Sequence, residues 1–190
     1  MGSDILAGIA ATKMAEQKEL SILIDLGTNG EIVLGNCNKI ICASTAAGPA
    51  FEGAKINQGM RATTGAISSV KVENGKLKPH VIGNVKAKGI CGSGLIDVLA
   101  ILLEEEKIGM FGEINSGEEK IELTPEVFLT QKDIREFQLA KAAIAAGIQM
   151  LLNQLKLSIE EIDKVFISGG FGNFLNIRNQ FLIQLQIRSI

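Results

Sequence analysis

Residues 21–35 read SILIDLGTNGEIVLG, and this stretch decides the fold that the sequence predicts. It opens on an apolar run with Asp25 inside it, which is the pattern of a central strand. Asn29-Gly30 is the strongest two-residue hairpin signal, so the residues after it are predicted to return as an antiparallel strand. A third strand at 39–43 completes a predicted antiparallel meander.

The regions outside the meander add a second hairpin and several helices. Asn74-Gly75 predicts the turn of a hairpin that covers residues 66–83. Apolar spacing predicts helices at 2–19 and 93–107. Thr130-x-x-Asp133 and Ser158-x-x-Glu161 fit capping boxes that open helices at 131–155 and 159–163, and a short strand is predicted at 164–168. Because strands alternate with helices and some neighbouring strands are antiparallel, the pattern indicates an α/β fold with a mixed sheet.

The composition indicates a globular cytoplasmic protein and argues against several classes of function. The 190 residues are 46% hydrophobic and 21% charged, which argues against disorder. Lys and Arg number 19 against 21 Asp and Glu, so the basic surplus of a general nucleic-acid binder is absent. The most apolar stretch, 139–152, is shorter than a membrane span, and the N-terminus lacks a signal-peptide pattern. We therefore expect neither nucleic acid nor a membrane as partner.

Asp25 is the first candidate for chemistry, because it ends a strand directly before a glycine-rich hairpin. Gly27 and Gly30 let backbone N–H groups approach an anion closely, and the Thr28 hydroxyl adds a donor. A carboxylate in this position can hold Mg²⁺, directly or through water, or orient a water near a phosphate. The alternative is that Asp25 only caps the hairpin. An acid inside an apolar run is costly to bury unless it is paired or binds a metal, which favours the functional interpretation.

Two further glycine-rich segments could bind a ligand or serve packing alone. Residues 166–173 read FISGGFGN, so a strand ends at Gly169-Gly170, where a flat ligand can lie against the backbone. Residues 89–97 read GICGSGLID, a spacing that is neither a Rossmann fingerprint nor a Walker A loop. The alternative for this segment is tight helix packing, with Ser93 as the N-cap of the helix.

The combination of these motifs resembles the actin, sugar-kinase and chaperone ATPase superfamily, whose domains have a ribonuclease-H-like fold. In that superfamily, acidic glycine-rich hairpins grip phosphates and a distant Gly-Gly turn meets the adenosine. A closer resemblance is to the C-terminal ATPase region of the ATP-dependent reductive activators of corrinoid proteins, and it is carried by residues 24–35, 44–54, 89–97, 140–148 and 168–173. It implies an actin-like ATPase lobe with a mixed sheet, an antiparallel meander and helices.

Such activators return the inactive Co(II) corrinoid of methyl-transfer proteins to Co(I), coupling ATP use to an uphill electron transfer. The resemblance therefore implies ATP and Mg²⁺ as ligands and a corrinoid protein as partner, and it is compatible with a homodimer. The [2Fe-2S] cluster of this iron-sulfur protein family is expected only in an N-terminal ferredoxin-like domain, outside this chain.

The resemblance also implies roles for individual residues. Asp25 would bind Mg²⁺ or a water molecule, and it is the candidate catalytic residue. The second phosphate loop and the adenosine turn would be formed by Asp25, Gly27, Thr28, Asn29, Gly30, Gly169, Gly170 and Gly172. No role follows for residues 44–54 or 91–97.

The chain also departs from the superfamily pattern. It has one Asp-x-Gly-Thr hairpin where the superfamily uses two, one in each lobe. Residues 2–179 are therefore predicted to form a single, partial ATPase lobe whose first phosphate segment would lie upstream, and residues 180–190 an atypical tail. Because closing a cleft over a nucleotide needs both lobes, we predict negligible ATP hydrolysis by this chain alone.

Other functions remain open from the sequence. The first is a non-catalytic module that docks a protein partner, which would show no Mg²⁺-dependent nucleotide binding. The second is a small-molecule kinase of the same superfamily, which would consume ATP when a sugar or an acid is added. A Ser-His-Asp hydrolase has the least support, since His80 is the only histidine and no local pattern surrounds it.

Overall fold

A computed structural model describes residues 2–27, 29–115 and 117–168, and every structural statement below concerns these residues. Among them, residues 2–48 and 140–168 form one compact unit and residues 49–139 form a second. In chain order the helices and strands are α1 (Ser3–Thr12), β1 (Ser21–Leu26), β2 (Gly30–Gly35), β3 (Ile40–Thr45), β4 (Ala66–Glu73), β5 (Lys76–Val81), β6 (Gly89–Ile90), α2 (Gly92–Glu104), β7 (Lys120–Glu122), β8 (Phe128–Thr130), α3 (Gln131–Leu155) and β9 (Lys164–Ser168). Single 3-10 turns lie at Met14–Glu16 and Ile159–Glu161.

The first unit is built on a four-stranded mixed sheet with the strand order β3-β2-β1-β9. β2 pairs antiparallel with both β1 and β3, and β9 pairs parallel with β1. These pairings confirm the predicted meander and the mixed sheet. One face of the sheet forms a core in which Ile5 of α1 and Met14 pack with Leu23 and Val33.

The second unit contains a three-stranded sheet with the order β5-β4-β6 and the separate hairpin β7-β8. β4 and β5 form the hairpin that the sequence predicts. Asn74 and Gly75 have φ values of 53° and 71°, the positive values that a primed two-residue turn requires. The predicted turn is therefore confirmed.

All four predicted helical segments are present. Those at 2–19 and 93–107 are shorter than predicted, and the one at 159–163 is a single 3-10 turn. α1 ends at Thr12 rather than at residue 19, because the chain enters the left-handed region at Lys13, whose φ is 53°. α2 ends at Glu104, and the segment predicted at 159–163 forms only a 3-10 turn. Within the described part of the chain, no helix combines the length and the apolarity that a membrane span requires.

The prediction that Ser93 caps α2 is wrong. The helix begins one residue earlier, and Cys91 is its N-cap. The Ser93 hydroxyl instead donates a hydrogen bond of 2.7 Å to the carbonyl oxygen of Ser68, where the register of β4 shifts. At Gly94, a Cβ atom would lie 2.9 Å from the carbonyl carbon of Ile67. These contacts support the packing alternative for residues 89–97, with β4 as a packing partner.

Candidate functional site

Two of the predicted ligand-binding segments start from the same edge of the first unit's sheet. β1 and β9 are adjacent and parallel, and Asp25 lies opposite Ser168. Ser168 directly precedes Gly169 in the sequence. Ligands of open α/β sheets bind outside the carboxyl ends of the strands. The edge where β1 and β9 end, here called the strand-end site, is therefore the candidate functional site.

A row of four oxygen-bearing side chains crosses the sheet at the strand-end site. Glu31 of β2 lies opposite both Ser44 and Asp25. Asp25 in turn lies opposite Ser168. Directly opposed residues of antiparallel strands have Cβ atoms roughly 4.5–5.5 Å apart, and like charges in such a pair repel each other. A divalent cation such as Mg²⁺ prefers carboxylate oxygens and would relieve this repulsion, so the donor set fits the ion that the sequence predicts.

Glu31 was missed by sequence reasoning because the expected turn sets the wrong register. A two-residue turn at Asn29-Gly30 would place Glu31 opposite residue 28. In the structure the connection comprises residues 27–29, and Gly30 is already the first residue of β2, opposite Leu26. The register is shifted as a result, and the two carboxylates become direct neighbours. The prediction of a hairpin here is confirmed, and its predicted turn position is wrong.

The expectation that the Asp25 charge is buried is also wrong. The first four residues of β1 are buried, but Asp25 and Leu26 are only partly so. The helix-covered core reaches Leu23 and Val33, one step of the side-chain alternation earlier on the same face. Asp25 therefore lies just beyond this core. Its position beside Glu31 and Ser168, rather than a desolvated charge, is what favours a function.

Glycine suits positions 27 and 30 of the predicted phosphate loop for different reasons. At Gly27, a Cβ atom would approach only the carbonyl oxygen of Asn29, at 3.6 Å, so the backbone there is open to a ligand. Gly30 is buried, and its Cβ would lie 2.7 Å from Oγ1 of Thr45 and 3.3 Å from Cγ1 of Ile144. Close packing alone requires a glycine at position 30, while position 27 fits the predicted approach of an anion.

The hairpin base is held by a side chain that the sequence did not single out. The Thr45 hydroxyl donates a hydrogen bond of 3.0 Å to the carbonyl oxygen of Gly30. Thr45 also faces Gly147 of α3, where any Cβ would overlap the Thr45 methyl group. This contact fixes β2 and β3 against the helix immediately behind the 27–29 connection.

The remaining predicted site residues are only partly located by the structure. Asn29 is exposed at the end of the connection. Thr28, Gly169, Gly170 and Gly172 lie outside the described residues, so their roles stay predictions.

Comparison with known proteins identifies a matching family. The family model described as the C-terminal domain of RACo, the ASKHA domain, matches residues 19–187. A corrinoid activation enzyme, RamQ, of Eubacterium limosum is 38% identical over 211 residues, covering 97% of this chain and 35% of that protein. The [Co(II) methylated amine-specific corrinoid protein] reductase of Methanosarcina barkeri is 33% identical over 198 residues, covering 93% of this chain and 36% of that protein.

A solved structure has the same fold. The chain named reductive activator for corrinoid, iron-sulfur protein superposes with a TM-score of 0.85 and 40% sequence identity, covering 95% of this chain and 32% of that one. This match confirms the predicted α/β actin-like fold. The chain spans about a third of the length of the curated relatives that it matches.

Proposed function

The chain belongs to the family of the C-terminal ASKHA domain of RACo, and on that premise we propose that it is the nucleotide-binding part of an ATP-dependent reductive activator of corrinoid proteins. An ASKHA domain implies nucleotide binding. Both curated relatives are named for the activation or reduction of corrinoid proteins, which supports the same activity for the protein to which this chain contributes. That activity is the return of Co(II) corrinoid to Co(I), with ATP driving a one-electron reduction.

The strand-end site is where we place the nucleotide. Asp25 binds Mg²⁺ directly or through water, with Glu31 beside it as a second oxygen donor. The open backbone at Gly27, together with Thr28 and Asn29, receives the phosphates. The observation that carries this proposal is the parallel pairing of β1 with β9, which brings Asp25 next to the strand that leads into Gly169.

The adenosine contact, the electron donor and the electron acceptor lie outside the strand-end site in this proposal. We assign the contact with the adenosine to Gly169, Gly170 and Gly172, as the sequence predicts. The electron comes from a [2Fe-2S] cluster in a ferredoxin-like domain of the complete activator, and the acceptor is the corrinoid protein of a methyl-transfer system. The activator works in the cytoplasm, either alone or as a homodimer.

Calorimetric titration of the chain with Mg-ATP and Mg-ADP tests the proposal. We expect binding that weakens when Mg²⁺ is removed and that is largely lost in Asp25→Asn, which keeps the side-chain shape and removes the charge. Asp4→Asn makes the same chemical change at an exposed position of α1 and should bind like the parent chain. Circular dichroism confirms that each variant is folded.

Two outcomes would contradict the proposal. Equal binding by the parent chain and by Asp25→Asn would remove Asp25 from the site. A folded parent chain that binds neither nucleotide would favour the non-catalytic docking module. A small-molecule kinase would instead be indicated by ATP consumption that depends on an added sugar or acid.

A further inference from the structure

The outer face of the hairpin formed by β4 and β5 carries a concentration of lysines. Lys71 lies opposite Lys78 and Glu73 lies opposite Lys76, so these four side chains share one face of the two strands. All four are exposed. Because the whole chain has a formal net charge of −2, three lysines with a single glutamate reverse its charge locally. These four residues are here called the basic face.

A register shift in β4 determines that the basic face points away from the core. The pairing of β4 with β5 shifts between residues 67 and 69. Residues before and after such a bulge exchange faces, so Ile67 and Val70 are both buried and Lys71 points outward. The Ser93 hydroxyl, which donates to the carbonyl oxygen at position 68, holds the shifted segment.

The hairpin projects beyond the sheet to which it belongs. β6 pairs with β4 only at Ala66 and Ile67, so among the described residues the rest of β4 pairs with β5 alone. The Asn74-Gly75 turn closes this two-stranded ribbon with the positive φ values of a primed turn, which match the twist of the strands. The ribbon therefore presents its lysines to a partner in a preorganised row.

The charges of the basic face are poorly compensated by the protein itself. Lys71 and Lys78 are like charges in directly opposed positions, which disfavours the strand pair. Glu73 forms an ion pair with Lys78, and among the described residues neither Lys71 nor Lys76 takes part in one. Lys76 shares a groove with the acidic segment 118–122, whereas Lys71 does not line that groove. The charge of Lys71 is therefore the least compensated.

We propose that the basic face is a docking surface for an acidic segment of a protein partner. Such a segment supplies the counter-charge that Lys71 lacks and relieves its repulsion with Lys78. Nucleic acid fits less well, because residues 66–81 contain no arginine to bind phosphates in a bidentate manner and no Phe, Tyr or Trp to stack on bases. The surface lies in the second unit and does not depend on the nucleotide site proposed above.

Lys71→Glu separates docking from a structural role of the lysine. The new carboxylate lies opposite Lys78 and replaces a like-charge pair with an opposite-charge pair, so the protein should unfold at the same or a higher urea concentration. The same change cancels the positive excess of the basic face, so a docking surface should lose affinity. Lys71→Arg keeps the charge, and Lys39→Glu makes the same charge change at an exposed position of the first unit.

The binding probe is a fluorescently labelled peptide of ten glutamates, followed by fluorescence anisotropy. We expect the parent chain and Lys71→Arg to bind the peptide with an affinity that falls as salt is added. Lys71→Glu should bind about 10-fold more weakly at low salt, because it removes one exposed ion pair and adds a repulsion. Lys39→Glu should bind like the parent chain.

Four results would overturn the proposal. A parent chain that does not bind the peptide would remove the docking surface, and equal weakening by Lys71→Glu and Lys39→Glu would mean that net charge alone binds it. Tighter binding of a single-stranded DNA of ten nucleotides, lost in Lys71→Glu, would assign the face to nucleic acid. Aggregation of Lys71→Glu with unchanged affinity for the peptide would show that the lysines only protect a strand edge.

Discussion

At the scale of single residues, the absence of a side chain at Gly147 sets how closely α3 approaches the sheet. A methyl group there would overlap Thr45 and lie 2.8 Å from Cδ1 of Ile32. Thr45 cannot turn away freely, because it is β-branched and its hydroxyl is bonded to the carbonyl of Gly30. The packing of α3 against the sheet behind the strand-end site therefore depends on position 147 having no side chain.

We expect Gly147→Ala to destabilise the protein although alanine is the better helix former. Overpacking costs about 1–3 kcal/mol, and the gain in helix propensity is at most about 1 kcal/mol. The measurement is the free energy of unfolding in urea. Thr45→Ser removes the overlapping methyl group, so the double variant should recover stability relative to Gly147→Ala. A Gly147→Ala protein as stable as the parent would show that α3 moves away without cost.

The structure does not supply the reason for which the sequence singles out Asp25. Sequence reasoning favoured it because a buried charge would need a partner. The structure leaves it partly exposed and gives it two oxygen-bearing neighbours instead. Burial depends on where the helix cover ends, and a strand's own sequence does not contain that information.

At the scale of elements, the start of α3 is held by hydrogen bonds between Thr130 and Asp133. The backbone N–H and the hydroxyl of Thr130 donate to Oδ2 of Asp133, at 2.8 and 2.7 Å. The Asp133 backbone N–H donates to Oγ1 of Thr130 at 3.3 Å, which completes a reciprocal cap. The other carboxylate oxygen of Asp133 accepts a hydrogen bond of 2.6 Å from the backbone N–H of Asn57. The predicted capping signal is confirmed, and its second role in holding a loop is new.

We expect Asp133→Ala to destabilise the second unit by about 2–4 kcal/mol, the sum of a lost cap and of the lost hydrogen bond from the Asn57 backbone N–H to a charged acceptor. Asp133 is 1% exposed, so water does not replace the carboxylate. Thr130→Ala should cost less, about 1 kcal/mol, because it leaves the contact with Asn57 in place. Asp4→Ala, in the exposed first turn of α1, serves as the control with an effect of a few tenths of a kcal/mol. Unfolding in urea measures all three, and equal costs for Asp133→Ala and Asp4→Ala would contradict the expectation.

At the scale of the whole molecule, one hairpin carries both carboxylates of the strand-end site. The superfamily that the sequence resembles grips phosphate with two hairpins, and this sequence contains one Asp-x-Gly-Thr segment. The interpretation of the chain as a single ATPase lobe, with residues 180–190 as an atypical tail, stays a prediction. For a single lobe, we expect nucleotide binding without ATP turnover.

We expect this chain alone to bind Mg-ATP and to release phosphate no faster than buffer does. Binding needs the strand-end site, whereas hydrolysis needs a cleft closed around the nucleotide. Phosphate release is measured for the parent chain and for Asp25→Asn, which controls for contaminating ATPases. Turnover that is present in the parent and absent from Asp25→Asn would show that one lobe suffices.

Parts of this protein were determined by the sequence alone, because their causes lie within a few residues. Asn74-Gly75 adopts the positive φ values that its hairpin needs, and the Thr130–Asp133 cap starts α3 where the pattern indicates. The apolar runs on either side of Asn29-Gly30 likewise predict the meander. Short-range steric and hydrogen-bonding preferences act before any tertiary contact forms, so they can be read from the chain directly.

The strand-end site itself was decided by tertiary structure. The pairing of β1 with β9 joins segments from opposite ends of the chain, and only that pairing brings Asp25 to Ser168. The register that sets Glu31 against Asp25 has Gly30 already inside β2, where it is buried and lies opposite Thr45 of the neighbouring strand. Such contacts depend on which distant residues share a core, because burial is a property of the assembled fold and not of a local pattern.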